Sequence, residues 1–241
     1  MEALETKIAF TISLFGKNLP ITETVIVSWG VMLFLIIAAL LLTRNLKETP
    51  SGPQAVLEMA VEFINNLAKK QFGFWGKFLG PYLGTLLLFL LIANLAGVLT
   101  PIGFKAFGLE FTPPFEIKPP TRDISVTAAF ACLSIFLVLF CGLASRGPLG
   151  WLKQLLHPMA FMLPFNLMDY GTRLLSLCLR LFGNILGGYV LMSMIEKLIP
   201  IGLPVICSLY FDFFDGLIQA AIFVFLTGIY ISEAVPKTEE L

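Results

Sequence analysis

The stretch "LSLCLRLFGNILGG", residues 175–188, places Arg180 in the middle of an apolar run. An arginine near the centre of a membrane helix costs roughly 2.5–3.5 kcal/mol on insertion scales, and intramembrane charges are usually functional. Asn184, Gly187 and Gly188 share a helical face with Arg180, because residues three and four apart stack. Small residues let another backbone approach closely. The pattern therefore predicts an arginine aimed at a neighbouring helix and not at lipid.

The two arginines of this segment differ in their local partners. Arg173 has Asp169 four residues before it, so the spacing predicts a structural ion pair within the helix, near the membrane boundary. Arg180 has no carboxylate three or four residues away in either direction. Its counter-charge is therefore expected from another helix or another subunit.

A second polar set lies in the last apolar segment. Asp212, Asp215 and Gln219 follow i, i+3, i+7 spacing, which places them on one face of a continuous α-helix. The apolar run already begins at Ile201, so both carboxylates fall inside the span and require water there. This predicts a hydrated cavity open to the outer side. The alternatives are a solvated helix cap for the two aspartates and a neutral structural hydrogen bond for Gln219.

The composition places the chain in a bilayer. It is 57% hydrophobic and 13% charged, with a mean hydropathy of +0.88, whereas soluble domains carry roughly 25% charged residues. Zero net charge argues against binding to nucleic acid. The four cysteines lie in apolar runs without a CxxC pair, which predicts neither a disulfide nor a metal site. We expect no cofactor.

The hydropathy pattern predicts an all-α integral membrane protein formed by a single membrane domain over residues 1–241. Five spans are expected at approximately 24–42, 78–103, 124–145, 162–198 and 203–235. Residues 51–72 alternate apolar and charged side chains at helical spacing, which predicts an interfacial amphipathic helix. The last two spans are longer than a hydrocarbon core of roughly 30 Å requires. They are therefore expected to form a long, steeply tilted helical hairpin.

The distribution of basic residues predicts the orientation. Lys and Arg are more numerous in loops 43–77 and 145–158 and at the C-terminus than on the other side. By the positive-inside rule the C-terminus is expected in the cytoplasm and the N-terminus outside. The apolar stretch 8–16 has an acidic flank and no cleavage site, and no transit peptide is evident. These features favour a multi-pass protein of a bacterial plasma membrane.

The run "LRLFGN", followed in the last segment by "GLIQAAIFVFLTGIYIS", resembles subunit a of the F-type ATP synthase membrane sector. The order of the predicted elements resembles that family over the whole chain. The resemblance implies a non-catalytic, ion-translocating stator subunit in the lipid bilayer that clasps the rotating ring of c subunits and meets the peripheral-stalk b subunits. It also implies two aqueous half-channels, opening to opposite sides of the membrane, for H⁺ or Na⁺.

The resemblance assigns roles to individual residues. The arginine that Arg180 matches faces the essential carboxylate of each passing c subunit, and Asn184 and Gln219 match polar positions beside the ion path. Tyr189 stands where the family often has a glutamate, and Asp212 stands where it often has histidine or another polar group. These two departures leave open the lining of the outer half-channel and the identity of the coupling ion.

Elementary electrostatics supports the role that the resemblance implies for Arg180. A fixed positive charge favours the ionised form of a carboxylate that passes it. It also repels a cation that would move directly between the half-channels, so the ion must travel round with the rotor. Arginine suits this role better than lysine because its guanidinium does not deprotonate. The sequence thus predicts that Arg180 is an electrostatic separator.

Three other functions compete with this one. A secondary transporter, in which Arg180 binds an anionic substrate, predicts inverted repeats and broken helices at the midplane, and the sequence shows no repeat. An aspartyl protease that uses Asp212 and Asp215 would need these residues on different helices and lacks the GxGD pattern. A purely structural subunit leaves the energetic cost of Arg180 unexplained.

Overall fold

The computed structural model describes residues 8–14, 17–44, 46–47, 52–96, 119–156, 159–199 and 203–235. Within these ranges, five helical stretches are long and apolar enough to cross a membrane: Glu23–Thr43, Gln54–Leu95, Ile124–Lys153, Leu163–Ile195 and Phe213–Ala234. The predicted class, a helical membrane protein, is confirmed. The end of the span predicted at 78–103, most of the loop that follows it and the link before residue 203 lie outside the described residues.

The α-helices of the described ranges are α1 (Glu23–Thr43), α2 (Pro53–Phe72), α3 (Gly76–Leu95), α4 (Ile124–Leu156), α5 (Leu163–Leu198), α6 (Leu203–Ser208) and α7 (Gly216–Ala234). Short 3-10 turns precede three of them, at Gly73–Trp75, Pro120–Arg122 and Ala160–Met162. A π-helical segment, Leu209–Asp215, connects α6 to α7.

A two-stranded antiparallel hairpin, β1 (Ile8–Leu14) and β2 (Lys17–Thr22), precedes α1. Thr11 pairs with Pro20, and Leu14 pairs with Lys17. This hairpin was not predicted from the sequence. Its signal is the apolar residue at every second position of "IAFTISL", which is the period of a strand and not of a helix.

Helix α2 has the position predicted for the amphipathic helix. Val56, Met59 and Phe63 are 68%, 70% and 64% exposed, whereas Ala68 and Phe72 are buried. One side of α2 therefore packs on the chain, and its exposed surface carries charged as well as apolar side chains, among them Glu58, Glu62, Lys69 and Lys70. The helix ends at Gly73, whose positive φ of 56° is a conformation that glycine adopts without strain.

The long helices before and after residue 200 behave differently. Helix α5 is continuous over 36 residues, as expected for the span 162–198. The span expected at 203–235 is not a continuous α-helix, because the π segment Leu209–Asp215 interrupts it. A π turn closes i→i+5 hydrogen bonds and so holds more residues than an α turn. No proline or glycine inside "LYFDFFD" signals the change.

The chain divides into two compact units. Unit 1 comprises the described residues of Met1–Leu41, Phe89–Thr127 and Leu181–Ala220, and unit 2 those of Leu42–Leu88, Ala128–Arg180 and Ala221–Leu241. The core of unit 2 joins α2, α3, α4 and α7 through Ala68, Phe72, Leu79, Leu83, Val138, Cys141, Ile231, Ala234 and Val235. Unit 1 buries Leu90, Ala93, Leu181, Met192 and Ala220, together with several polar side chains.

Candidate functional site

Arg180 lies near the middle of α5, and its side chain is exposed. Its Nη2 donates a long hydrogen bond of 3.4 Å to Ser176 Oγ, one turn earlier. Leu175 and Leu179 beside it are 55% and 54% exposed. The guanidinium therefore lies on an apolar part of the α5 surface that is accessible from outside the chain.

Two glycines near Arg180, on the same face of α5, leave the helix backbone uncovered by side chains. A Cβ added at Gly183 or Gly187 would meet no atom of the described residues within 4 Å. At Gly188 a Cβ would lie 3.6 Å from Phe211 Cβ, so that glycine packs inside unit 1. Of the predicted glycine pair, only Gly187 is open, and Gly183 joins it. A second helix can approach the backbone closely at these two positions.

Arg173 holds a three-residue ion-pair group within unit 2. Its Nη2 lies 2.6 Å from Asp169 Oδ2, and its Nη1 lies 2.7 Å from Glu233 Oε2. The guanidinium carbon is also 4.8 Å from the ring centroid of Tyr230. The spacing predicted the pair with Asp169. Glu233 was missed, because it comes from α7 and only the packing of the helices brings it to Arg173.

Tyr189 is paired with a cation that the sequence analysis did not single out. The guanidinium carbon of Arg122, in the 3-10 turn before α4, lies 3.4 Å from the centroid of the Tyr189 ring. A guanidinium over an aromatic face is a favourable cation–π contact. Both residues are half-buried in unit 1, as is Asn184. No local signal relates residues so distant in the chain.

The polar residues of the last segment are not carried by one continuous α-helix, because Asp212 and Asp215 belong to the π segment Leu209–Asp215 and Gln219 belongs to α7. Asp215 is half-buried at the end of the π segment, and Gln219 is 7% exposed on α7. The side chain of Asp212 lies outside the described residues. The expected face assumed α-helical spacing from Asp212 to Gln219, and the wider π turn changes the rotation between Asp212 and Asp215. That geometric premise was wrong.

Asn94 forms a buried polar contact that the sequence analysis missed. Its side chain is 4% exposed, its Nδ2 donates to the Gly216 carbonyl at 2.9 Å, and its Oδ1 accepts from Thr121 Oγ1 at 2.8 Å. The first turn of α7, directly after Asp215, is thereby tied to α3 within unit 1. The available signal was a lone amide inside the apolar run "LLIANLAGV".

Asp123 caps α4 and ties it to α1. Its Oδ1 accepts from the Ser125 backbone N–H at 2.9 Å, which satisfies a donor in the first turn of the helix. Its Oδ2 accepts from Thr24 Oγ1, also at 2.9 Å. Asp123 is 8% exposed, so these hydrogen bonds supply partners for a buried carboxyl group within unit 1. The cap fixes the turn that carries Arg122.

The fold is that of a multi-pass helical membrane protein with a polar set built on its last helices. The family model for the ATP synthase A chain matches residues 25–232. The chain is 34% identical over 222 residues to the ATP synthase subunit a, sodium ion specific, of Propionigenium modestum, an alignment that covers 92% of this chain and 77% of that protein.

The chain therefore belongs to the ATP synthase subunit a family. This family supplies the stator of the F-type ATP synthase membrane sector, and its members work with the ring of c subunits and the rest of that complex. Membership sets aside the secondary transporter and the intramembrane protease as functions for this chain.

Proposed function

We propose that Arg180 separates two ion half-channels at the surface where the stator meets the c ring, and so couples H⁺ or Na⁺ flow to ATP synthesis. The observation that carries the proposal is the exposure of Arg180 on α5 beside the open glycines Gly183 and Gly187. A cation placed on such a surface can be reached by a group on another subunit. The apolar residues around it match a partner that lies within the membrane.

Arg180 acts as a separator because its guanidinium is positively charged and keeps that charge throughout. A ring carboxylate reaches Arg180 only in its ionised form, because the guanidinium stabilises the anion and repels a bound cation. The carboxylate must therefore release its ion to one half-channel and take up another from the opposite one. Arginine remains charged throughout, so it does not pass a proton across itself.

We place the outer ion path beside Asn184, Tyr189, Asp212, Asp215 and Gln219. Half-buried Asn184, Tyr189 and Asp215 are consistent with a partly hydrated path, and an ionised carboxylate in a span requires water. The contact of Arg122 with the Tyr189 ring holds that side chain in place. Asn94 fixes the turn that follows Asp215, which supports a defined position for this carboxylate.

Cysteines at positions 212 and 215, in a background without the four native cysteines, test the outer path. We expect both to react with a small hydrophilic thiol reagent added from the outer side, because the carboxylates they replace need water. Ala220→Cys, at a fully buried position of α7, is the matched control and should stay unlabelled. Protection of positions 212 and 215 from both sides would show buried structural groups instead.

The whole complex in proteoliposomes tests the coupled function. ATP-driven ion uptake should require Arg180, and its response to added Na⁺ identifies the ion. The relative from Propionigenium modestum is sodium ion specific, so Na⁺ dependence is the first comparison to make. Uptake that is independent of Na⁺ and collapses with a protonophore would identify H⁺.

We further propose that the chain lies in the cell membrane with its C-terminus in the cytoplasm and that it contacts the peripheral-stalk b subunits. The Lys and Arg excess in loops 43–77 and 145–158 supports this orientation. Cysteines introduced at positions 2 and 239 should therefore differ in intact cells, with only position 2 reacting with an impermeant reagent. Equal labelling of both positions would contradict five spans.

A further inference from the structure

A cavity of about 630 Å³ lies within unit 2, at the ends of three helices. Its lining comes from the last turns of α4 and α7 and the first turns of α5. The charged lining residues are Arg146, Lys153, Asp169, Arg173 and Glu233. Helix ends in a spanning bundle typically lie where membrane meets water, which is the level of lipid head groups.

Some of the charged groups that line this cavity are paired with one another, and others are not. Asp169 and Glu233 both pair with Arg173, so these three groups satisfy one another. Arg146 makes one long hydrogen bond of 3.4 Å, from Nε to the Ala234 carbonyl. Lys153 makes no hydrogen bond or ion pair within the described part of the chain. Two cations thus line the cavity with most of their donors available to a ligand.

The backbone of α4 places Lys153 beside the cavity. Gly147, with φ 72° and ψ 167°, bends the helix, and Pro148 follows. After the bend, Leu149 and Leu152 are 83% and 46% exposed, whereas Lys153 lines the cavity. A short segment with exposed apolar side chains next to a cation is typical of chain that lies in the membrane interface.

We propose that this cavity binds the phosphate group of an anionic phospholipid, with Arg146 and Lys153 as its cationic ligands. Basic pockets between membrane helices bind such head groups, and a guanidinium can bind phosphate oxygens in pairs. Asp169 and Glu233 in the same lining favour a singly charged phosphodiester over a doubly charged free phosphate. The exposed leucines 149 and 152 offer apolar surface for the acyl chains. The site does not involve Arg180.

Spin-labelled phosphatidylglycerol, titrated into the whole complex in phosphatidylcholine nanodiscs, tests this site. We expect Arg146→Gln and Lys153→Gln to weaken its association roughly fivefold each, the effect of one cation near an anionic lipid. Lys77→Gln, at an exposed lysine that does not line the cavity, should leave it unchanged. Lys153→Arg keeps the charge and should retain binding.

Three results decide the proposal. Unchanged association in the double variant Arg146→Gln, Lys153→Gln would overturn it. Displacement of the labelled lipid by inorganic phosphate at equal concentration would assign the cavity to free phosphate and would also overturn it. If the double variant does not assemble, the association of the lipid with the single variant Lys153→Gln, which changes an exposed side chain, decides the proposal: unchanged association would overturn it. All these variants keep Arg180, so their outcome is independent of the ion-coupling proposal.

Discussion

Arg180→Ala is expected to abolish ATP-coupled ion transport, down to the background of vesicles without the complex, while the complex still assembles. The side chain is exposed on α5, so its removal opens no cavity in the buried core. Without the fixed cation nothing blocks exchange between the half-channels, and passive leak through the membrane sector should rise. Ion flux into proteoliposomes, with and without ATP, measures both effects.

Two further variants test whether the charge must be permanent and whether it must stand at position 180. Arg180→Lys should also lose coupled synthesis, because a desolvated lysine can deprotonate. Arg173→Ala should be milder for transport and act on assembly or stability, because it leaves Asp169 and Glu233 without their shared cation. Near-normal synthesis in Arg180→Ala would refute the separator, and so would a stronger transport defect in Arg173→Ala.

Gly187→Leu is expected to uncouple the stator from the ring without unfolding the chain. A Cβ at this position meets no described atom within 4 Å, so a side chain there begins in open space in the isolated subunit. On α5 it stands two turns from Arg180 on the same face, where it would hold a partner helix away. Overpacking costs about 1–3 kcal/mol, so we expect association with the c ring to weaken about fivefold or more.

Gly171→Leu is the matched control for this experiment. Gly171 also lies on α5 with no described atom near its Cβ position, but it is on roughly the opposite face from Gly187. Retention of c subunits on an affinity-tagged chain measures the association, and helical content by circular dichroism checks the fold. Full retention in Gly187→Leu, or an equal loss in Gly171→Leu, would contradict a contact between this face of α5 and the c ring.

Much of the helical frame could be predicted because its signals are local. The apolar runs placed the long helices, and the charge alternation over 51–72 placed α2 to within about two residues of Pro53–Phe72. The i, i+4 spacing of Asp169 and Arg173 predicted their contact, because a helix fixes the distance between such residues. The alternating pattern of β1 was equally local and was overlooked.

The sequence alone determined which helix carries Arg180, which residues neighbour it on that helix and which family the chain resembles. The tertiary structure decided the contacts between residues distant in the chain: Glu233 with Arg173, Arg122 with Tyr189, and Asn94 with Gly216. It also decided that Leu209–Asp215 forms a π turn and that Gly187, unlike Gly188, is open. Periodicity reports the direction of a side chain on its own helix, whereas the groups it meets depend on how the helices pack.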